Sequence, residues 1–123
     1  MTRPDERAFH VWGPRLFVLL EDGETLAEVH DYLDWARWQS EHDCQIRLTV
    51  TEHFTVSTVF LGIDHRFSGK GPPIVWETMV FANDPADEGG ELHHSMWRYS
   101  TRSDAEAGHA MAVKKAIAGE KVG

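Results

Sequence analysis

The sequence predicts an α+β fold: a mostly antiparallel sheet of about four to five strands with two helices packed on one face. Two observations predict it. Segments with strand composition or period-two alternation cluster in the middle of the chain, and a helical pattern stands on either side of them. The 123 residues are enough for one core, so we expect a single domain over 1–123.

The first third of the chain predicts a strand, a turn and a helix. Residues 1–7 are expected to fray, and a strand is predicted over 15–20. The Asp22-Gly23 turn signal makes 25–29 either a returning strand or the approach to a helix. A helix is predicted over 31–41, with Asp31 as its N-cap and a stripe of apolar side chains: Tyr32, Leu33, Trp35 and Ala36.

The rest of the chain predicts the sheet and a closing helix. Strands are predicted at 45–51, 54–61, 74–81 and 93–99, separated in part by two long loops, 62–73 and 83–92. In the first of these strands Ile46, Leu48 and Val50 alternate with polar residues. The last helix is predicted to begin at a capping box, Ser103 to Glu106, and to end at Gly119.

Composition excludes several classes of protein. Twenty acidic against twelve basic residues give a net charge of −8, which disfavours bulk nucleic-acid binding. No apolar run is long enough to cross a membrane, and the charged N-terminus lacks the apolar region of a signal peptide. The single cysteine, Cys44, suits a reducing cytoplasm and is predicted to be a small buried filler. No cofactor is predicted.

Glu77 is the most informative position. Both faces of its predicted strand are mainly apolar, so its carboxylate is expected to be poorly solvated and to need a partner or a proton. A structural role, paired with Arg47 or Arg98, is as plausible as a functional one.

The loop that follows the second central strand is the other candidate. Asp64, His65 and Arg66 succeed one another there, with Lys70 close behind among glycines. Such side chains bind anions or metals, or transfer protons, although a plain polar turn built by Asp64 explains them equally well. The spacing around Lys70 is not that of a phosphate-binding P-loop.

Two further residues complete the candidate set. His109 lies beside the apolar stripe of the last helix and is expected to face the sheet. It would join Asp64 and His65 in a metal site only if the fold gathers them, because the histidine spacing matches no metal motif. Trp12 is the tryptophan most expected to be exposed, where it would serve a protein interface.

Four blocks of the sequence resemble a family of small, uncharacterised accessory proteins of tailed phages, prophages and mobile elements. The blocks are Val56-Ser-Thr-Val-Phe-Leu-Gly-Ile-Asp-His65, Gly71-Pro-Pro73, Glu77-Thr-Met-Val-Phe81, and Tyr99-Ser-Thr101 with Glu106-Ala-Gly-His109. The resemblance implies a protein of the host cytosol that binds a host protein or a signalling molecule, including those of defence systems. It implies no catalytic residues.

We therefore expect a non-enzymatic binding module that engages a host factor or a small anionic, nucleotide-like ligand. The predicted ligand-binding residues are Asp64, His65, Arg66, Lys70, Glu77 and Thr78. A metal-assisted hydrolase is the alternative, with Glu77 and His109 as catalytic residues and Asp64, His65 and His109 as metal ligands. A second alternative is a protein inhibitor that acts through its acidic surface. Whether turnover occurs stays open, and a homodimer is compatible with each hypothesis.

Overall fold

The computed structural model describes residues 14–66, 70–84 and 95–122, and it has the predicted α+β class. Two antiparallel sheets and two helices make up the described chain. The elements are β1 (Leu16–Leu19), β2 (Leu26–Val29), α1 (Tyr32–Glu41), β3 (Gln45–Val50), β4 (Phe54–Phe60), β5 (Trp76–Ala82), β6 (Met96–Tyr99) and α2 (Arg102–Val122). Residue Trp12 and most of the predicted 83–92 loop lie outside the described residues.

The main sheet is a four-stranded antiparallel meander in the order β3-β4-β5-β6. Helix α2 packs across all four strands and covers one face. Beneath it lie two apolar clusters, one around Phe60 and Trp76 and the other around Val56 and Val80. Small residues of α2, Ala105, Ala112 and Ala116, face these clusters and let the helix approach the sheet closely.

The β1–β2 hairpin forms a small sheet of its own, so residues 25–29 are the returning strand. Helix α1 packs mainly on this hairpin, and its Trp38 reaches the main core, where it meets Phe60 edge to face with ring centroids 5.9 Å apart. The predicted cap is confirmed, because the Asp31 carboxylate accepts from the backbone N–H of Leu33 at 2.8 Å. The predicted stripe is wrong in part, since Tyr32 and Leu33 are exposed.

Gly62 lies where the hairpin meets the end of β4. Its φ of 75° is in the left-handed region that favours glycine. A Cβ there would lie 2.8 Å from both the Phe17 carbonyl oxygen and Trp35 Nε1, and 2.5 Å from Gln39 Nε2. The absence of a side chain therefore lets the hairpin, α1 and the main sheet meet at one point.

The start of α2 differs from the prediction. Thr101, not Ser103, caps the helix, because its hydroxyl accepts from the backbone N–H of Asp104 at 3.1 Å. Glu106 does not close a capping box; its carboxylate instead lies 3.4 Å from Arg47 on β3. The helix also continues past Gly119 to Val122. Within the part of the chain that the structure describes, no helix is long and apolar enough to cross a membrane.

Candidate functional site

Asp64 holds the predicted loop together. The carboxylate is 2% exposed, and its Oδ2 accepts from Arg15 Nε and Nη2 at 3.0 and 2.7 Å. Its Oδ1 accepts from the backbone N–H groups of Arg66 and Ile74 at 2.8 and 2.9 Å. Burial is the strongest influence and raises the pKa of Asp64, but these hydrogen bonds and the Arg15 charge together outweigh it, so the pKa lies below its usual range. Both carboxylate oxygens are thus engaged within the protein.

The basic residues of the loop do not converge on an anion site. Arg66 Nε donates to the Pro72 carbonyl oxygen at 2.7 Å, which closes the loop on itself. Arg15 adds a bond from Nη2 to the Gly71 carbonyl oxygen at 3.3 Å. Lys70 is exposed at the surface. The polar-turn explanation, with Asp64 binding nearby backbone, therefore describes this loop.

Glu77 is buried as predicted, and its partner is Arg98. The carboxylate Oε2 accepts from Arg98 Nε at 2.9 Å, and the two residues are paired in register across β5 and β6. His65 lies within electrostatic range of this pair. Burial is the main cause that lowers the pKa of His65, and Arg98 lowers it further, while Glu77 and Asp64 act in the opposite direction.

His109 faces the sheet, as expected, but on the other side from Glu77. Its Nδ1 and Nε2 lie 2.8 and 2.9 Å from the hydroxyl oxygens of Thr58 and Thr49, and Thr58 contacts the Thr78 hydroxyl at 2.5 Å. The residue is 6% exposed. Burial, and then the charge of Arg47, lower the pKa of His109, which favours a neutral ring with one donor and one acceptor nitrogen.

The predicted site residues are therefore divided between the two faces of the sheet. Glu77 and Thr78 are neighbours on one strand and point in opposite directions. Thr78 on β5 and His109 on α2 both contact the Thr58 hydroxyl between the sheet and the helix, whereas Glu77 is on the opposite face, paired with Arg98. Among residues 14–66, 70–84 and 95–119, no three His, Cys, Asp or Glu side chains gather in a way that could hold a metal ion. Neither the Asp64–His65–His109 metal set nor the Glu77–His109 catalytic pair is assembled.

The face opposite α2 has a feature that the sequence analysis did not identify. Leu48 and Val50 on β3, Phe81 on β5 and Met96 on β6 expose 55%, 65%, 40% and 44% of their surface. They share this face with Glu77 because of the strand register. We call this side of the sheet the open face.

The strand register arranges the side chains of the open face in rows across the sheet. Leu48, Ser57, Met79 and Met96 are successive cross-strand neighbours, so they form one row across all four strands. A second row runs from Val50 through Thr55 to Phe81, and Glu77 and Arg98 belong to a third. The open face therefore carries exposed apolar side chains on β3 and on β5 and β6, with the hydroxyls of Ser57 and Thr55 between them on β4, and a neutralised ion pair at one end.

A β-bulge explains why the open face was missed. The register shifts between Gln45 and Arg47, so that Ile46 packs on the buried core while Leu48 points away from it. Arg47 and Thr49 consequently face α2, where they contact Glu106 and His109. The alternation from Leu48 onward indicates the strand correctly, but the bulge inverts which set of side chains is covered.

Comparisons with known proteins found no match. No family model, no curated protein and no solved structure matches the chain. The resemblance to small phage and prophage proteins stays a prediction made from the four sequence blocks. The candidate site that the geometry favours is the open face, with Glu77, Arg98 and His65 at its end.

Proposed function

We propose that the protein is a non-enzymatic binding module that engages a protein partner through the open face. The observation that carries the proposal is the set of four exposed apolar side chains on one face of the sheet: Leu48, Val50, Phe81 and Met96. Single exposed apolar residues are normal on a protein surface, but several large ones grouped on one face favour an interaction site. Burial of what Leu48, Val50, Phe81 and Met96 expose is worth about 1–2 kcal/mol each before the costs of association.

The charge pattern favours one kind of partner. The whole chain carries −8, so a second copy meets electrostatic repulsion as it approaches. The open face itself is close to neutral, because Glu77 is paired with Arg98. We therefore propose a neutral or basic partner that presents apolar side chains to the rows of Leu48 and Val50. The sequence resemblance makes a host protein of the cytosol the natural candidate.

The other predicted functions have less support in the geometry. A small anionic ligand in the 62–73 loop would compete with contacts that Asp64 and Arg66 already make inside the protein. A hydrolase would need the groups that lie on opposite faces. An inhibitor that acts through acidic charge would use the same partner class, and salt separates the two modes: charge-driven binding weakens steeply with salt, and apolar binding does not.

A charge-matched pair of variants tests the proposal. Leu48→Lys/Met96→Lys places two lysines on the open face, and Leu33→Lys/Met111→Lys places two on exposed positions of α1 and α2. We expect the open-face variant to lose at least about tenfold in affinity for a partner that the wild type captures from host lysate and binds again when purified. The helix variant should retain that affinity.

Three outcomes would contradict the proposal. The first is retention of binding by the open-face variant, and the second is an equal loss in both variants. The third comes from light scattering of the purified protein: a homodimer that Leu48→Lys/Met96→Lys dissociates would make the open face a contact between copies instead. Circular dichroism of each variant checks that the fold is kept.

A further inference from the structure

A separate cavity of about 590 Å³ lies where five parts of the chain meet. It is lined by the end of the hairpin, the C-terminal end of α1, the segment into β3, Phe60 at the end of β4 and the first residue of α2. Its volume is in the range of pockets that hold small organic molecules. The proposed function does not use it.

The floor of the cavity is apolar and aromatic. Trp38 and Phe60 meet edge to face and form an inside corner, and Leu19 and Ile46 continue the apolar surface. His42 stacks on Trp38 with ring centroids 4.3 Å apart, so the indole is fixed between two rings. A flat ring placed in such a corner gains contact with an aromatic face and an aromatic edge at once.

Three charged side chains are among the described residues that line the cavity: Arg102, Glu21 and Asp43. Arg102 is oriented, because its Nη1 donates to the Gly23 carbonyl oxygen at 2.9 Å and its Nε lies 3.9 Å from Glu106. A guanidinium held this way retains donors for a carboxylate or sulfonate. Glu21 and Asp43 also line the cavity, and their negative charges oppose a ligand with several charges, such as a polyphosphate.

We propose that this cavity binds a small aromatic monoanion, with its ring against Trp38 and Phe60 and its charged group on Arg102. The aromatic corner sets the ring of the ligand, and Arg102 binds its one charged group directly. The carboxylates of Glu21 and Asp43 weaken the binding of any anion, and that of a polyanion most. The cavity site is distinct from the open face, so each can be present without the other.

Three probe compounds and two matched variants test the cavity site. We expect 2-naphthoate to bind, with nuclear magnetic resonance shifts at the Trp38 indole, while the neutral 2-naphthamide binds more weakly and ATP does not bind. Arg102→Gln and Arg47→Gln each remove one arginine that contacts Glu106, but only Arg102 lines the cavity. Arg102→Gln should weaken 2-naphthoate roughly tenfold and leave 2-naphthamide unchanged, and Arg47→Gln should affect neither.

The cysteine supplies a test that needs no variant. Cys44 lines the cavity, and burial raises the pKa of its thiol, so its reaction with iodoacetamide is slow enough to follow by mass spectrometry. Saturating 2-naphthoate should slow the alkylation severalfold, and ATP should not. The proposal is overturned if 2-naphthoate neither shifts Trp38 nor protects Cys44, if its shifts map to Leu48 and Phe81, or if it binds no better than 2-naphthamide.

Discussion

The two faces of the main sheet differ in the side chains that they bury and expose. The face under α2 buries polar groups, and Thr58, Thr78 and His109 satisfy one another in a short hydrogen-bonded chain. The open face exposes apolar groups, and its one buried carboxylate, Glu77, is neutralised by Arg98 at the edge. The covered face is therefore occupied by this chain's own helix, whereas the open face leaves Leu48, Val50, Phe81 and Met96 exposed.

Each strand contributes side chains to both faces of the sheet. Two substitutions on β5 can therefore compare the covered face with the open face. Trp76 is 1% exposed on the covered face, and Phe81 is 40% exposed on the open face. We expect Trp76→Ala to lower the free energy of unfolding by about 3–5 kcal/mol, because it leaves a large cavity under α2. Phe81→Ala should cost less than about 1 kcal/mol. Urea unfolding of both variants measures the difference, and equal losses would mean that the open face is packed as well.

The closeness of α2 to the sheet gives the second prediction. A Cβ on Gly108 would overlap the Tyr99 ring of β6. We expect Gly108→Ala to lower the free energy of unfolding by about 1–3 kcal/mol through overpacking, despite the gain in helix propensity. The double variant Gly108→Ala/Tyr99→Leu should recover part of the loss. If Gly108→Ala stabilises the protein in thermal unfolding, the helix does not lie this close to β6.

The ion pair at the end of the open face gives a third prediction. Arg98→Met leaves the Glu77 carboxylate, 8% exposed, without its cation and should cost about 1–3 kcal/mol in urea unfolding. Glu77→Gln/Arg98→Met removes both charges and should recover most of that stability. The comparison would be wrong if the double variant were the less stable of the two, since the pair would then contribute more than neutralisation.

The smallest effect concerns pH. Burial lowers the pKa of His109 and of His65 below 6.5, so the unfolded chain takes up these protons first as the pH falls. The free energy of unfolding should therefore decrease as the pH drops below about 6.5. We expect His109→Gln and His65→Gln each to flatten this decrease, and the double variant to flatten it further. An unchanged slope in His109→Gln would show that the imidazole is not held neutral between α2 and the sheet.

Local patterns were enough to predict most of the fold. Strand alternation, the Asp31 cap and the turn at Asp22-Gly23 each depend on neighbours in sequence, and the structure has the corresponding elements. Glu77 was also predicted correctly as buried, with Arg98 as one of two candidate partners. The helix start was misplaced because Ser103 and Thr101 are both good caps, and which one is used depends on how α2 meets the sheet.

The arrangement of the candidate site could not be predicted from local sequence patterns. The sequence around Asp64, with His65 and Arg66 next to it, is typical of an active-site carboxylate. In the structure the carboxylate instead pairs with Arg15, which is far away in sequence. The bulge after Gln45 decides which side of β3 is covered, and a single sequence carries no marker for it. The cavity arises where Leu19, Trp38, Phe60 and Arg102 come together, and no local spacing links them.

Gly62 shows how one buried glycine can determine how the elements of the fold meet. Three elements touch at a point with no room for a methyl group. In a scan of every substitution, position 62 should tolerate nothing but glycine, because any side chain there would overlap Phe17, Trp35 and Gln39. Such intolerance would report the joint between hairpin and sheet, and it should not be taken as the mark of an active site.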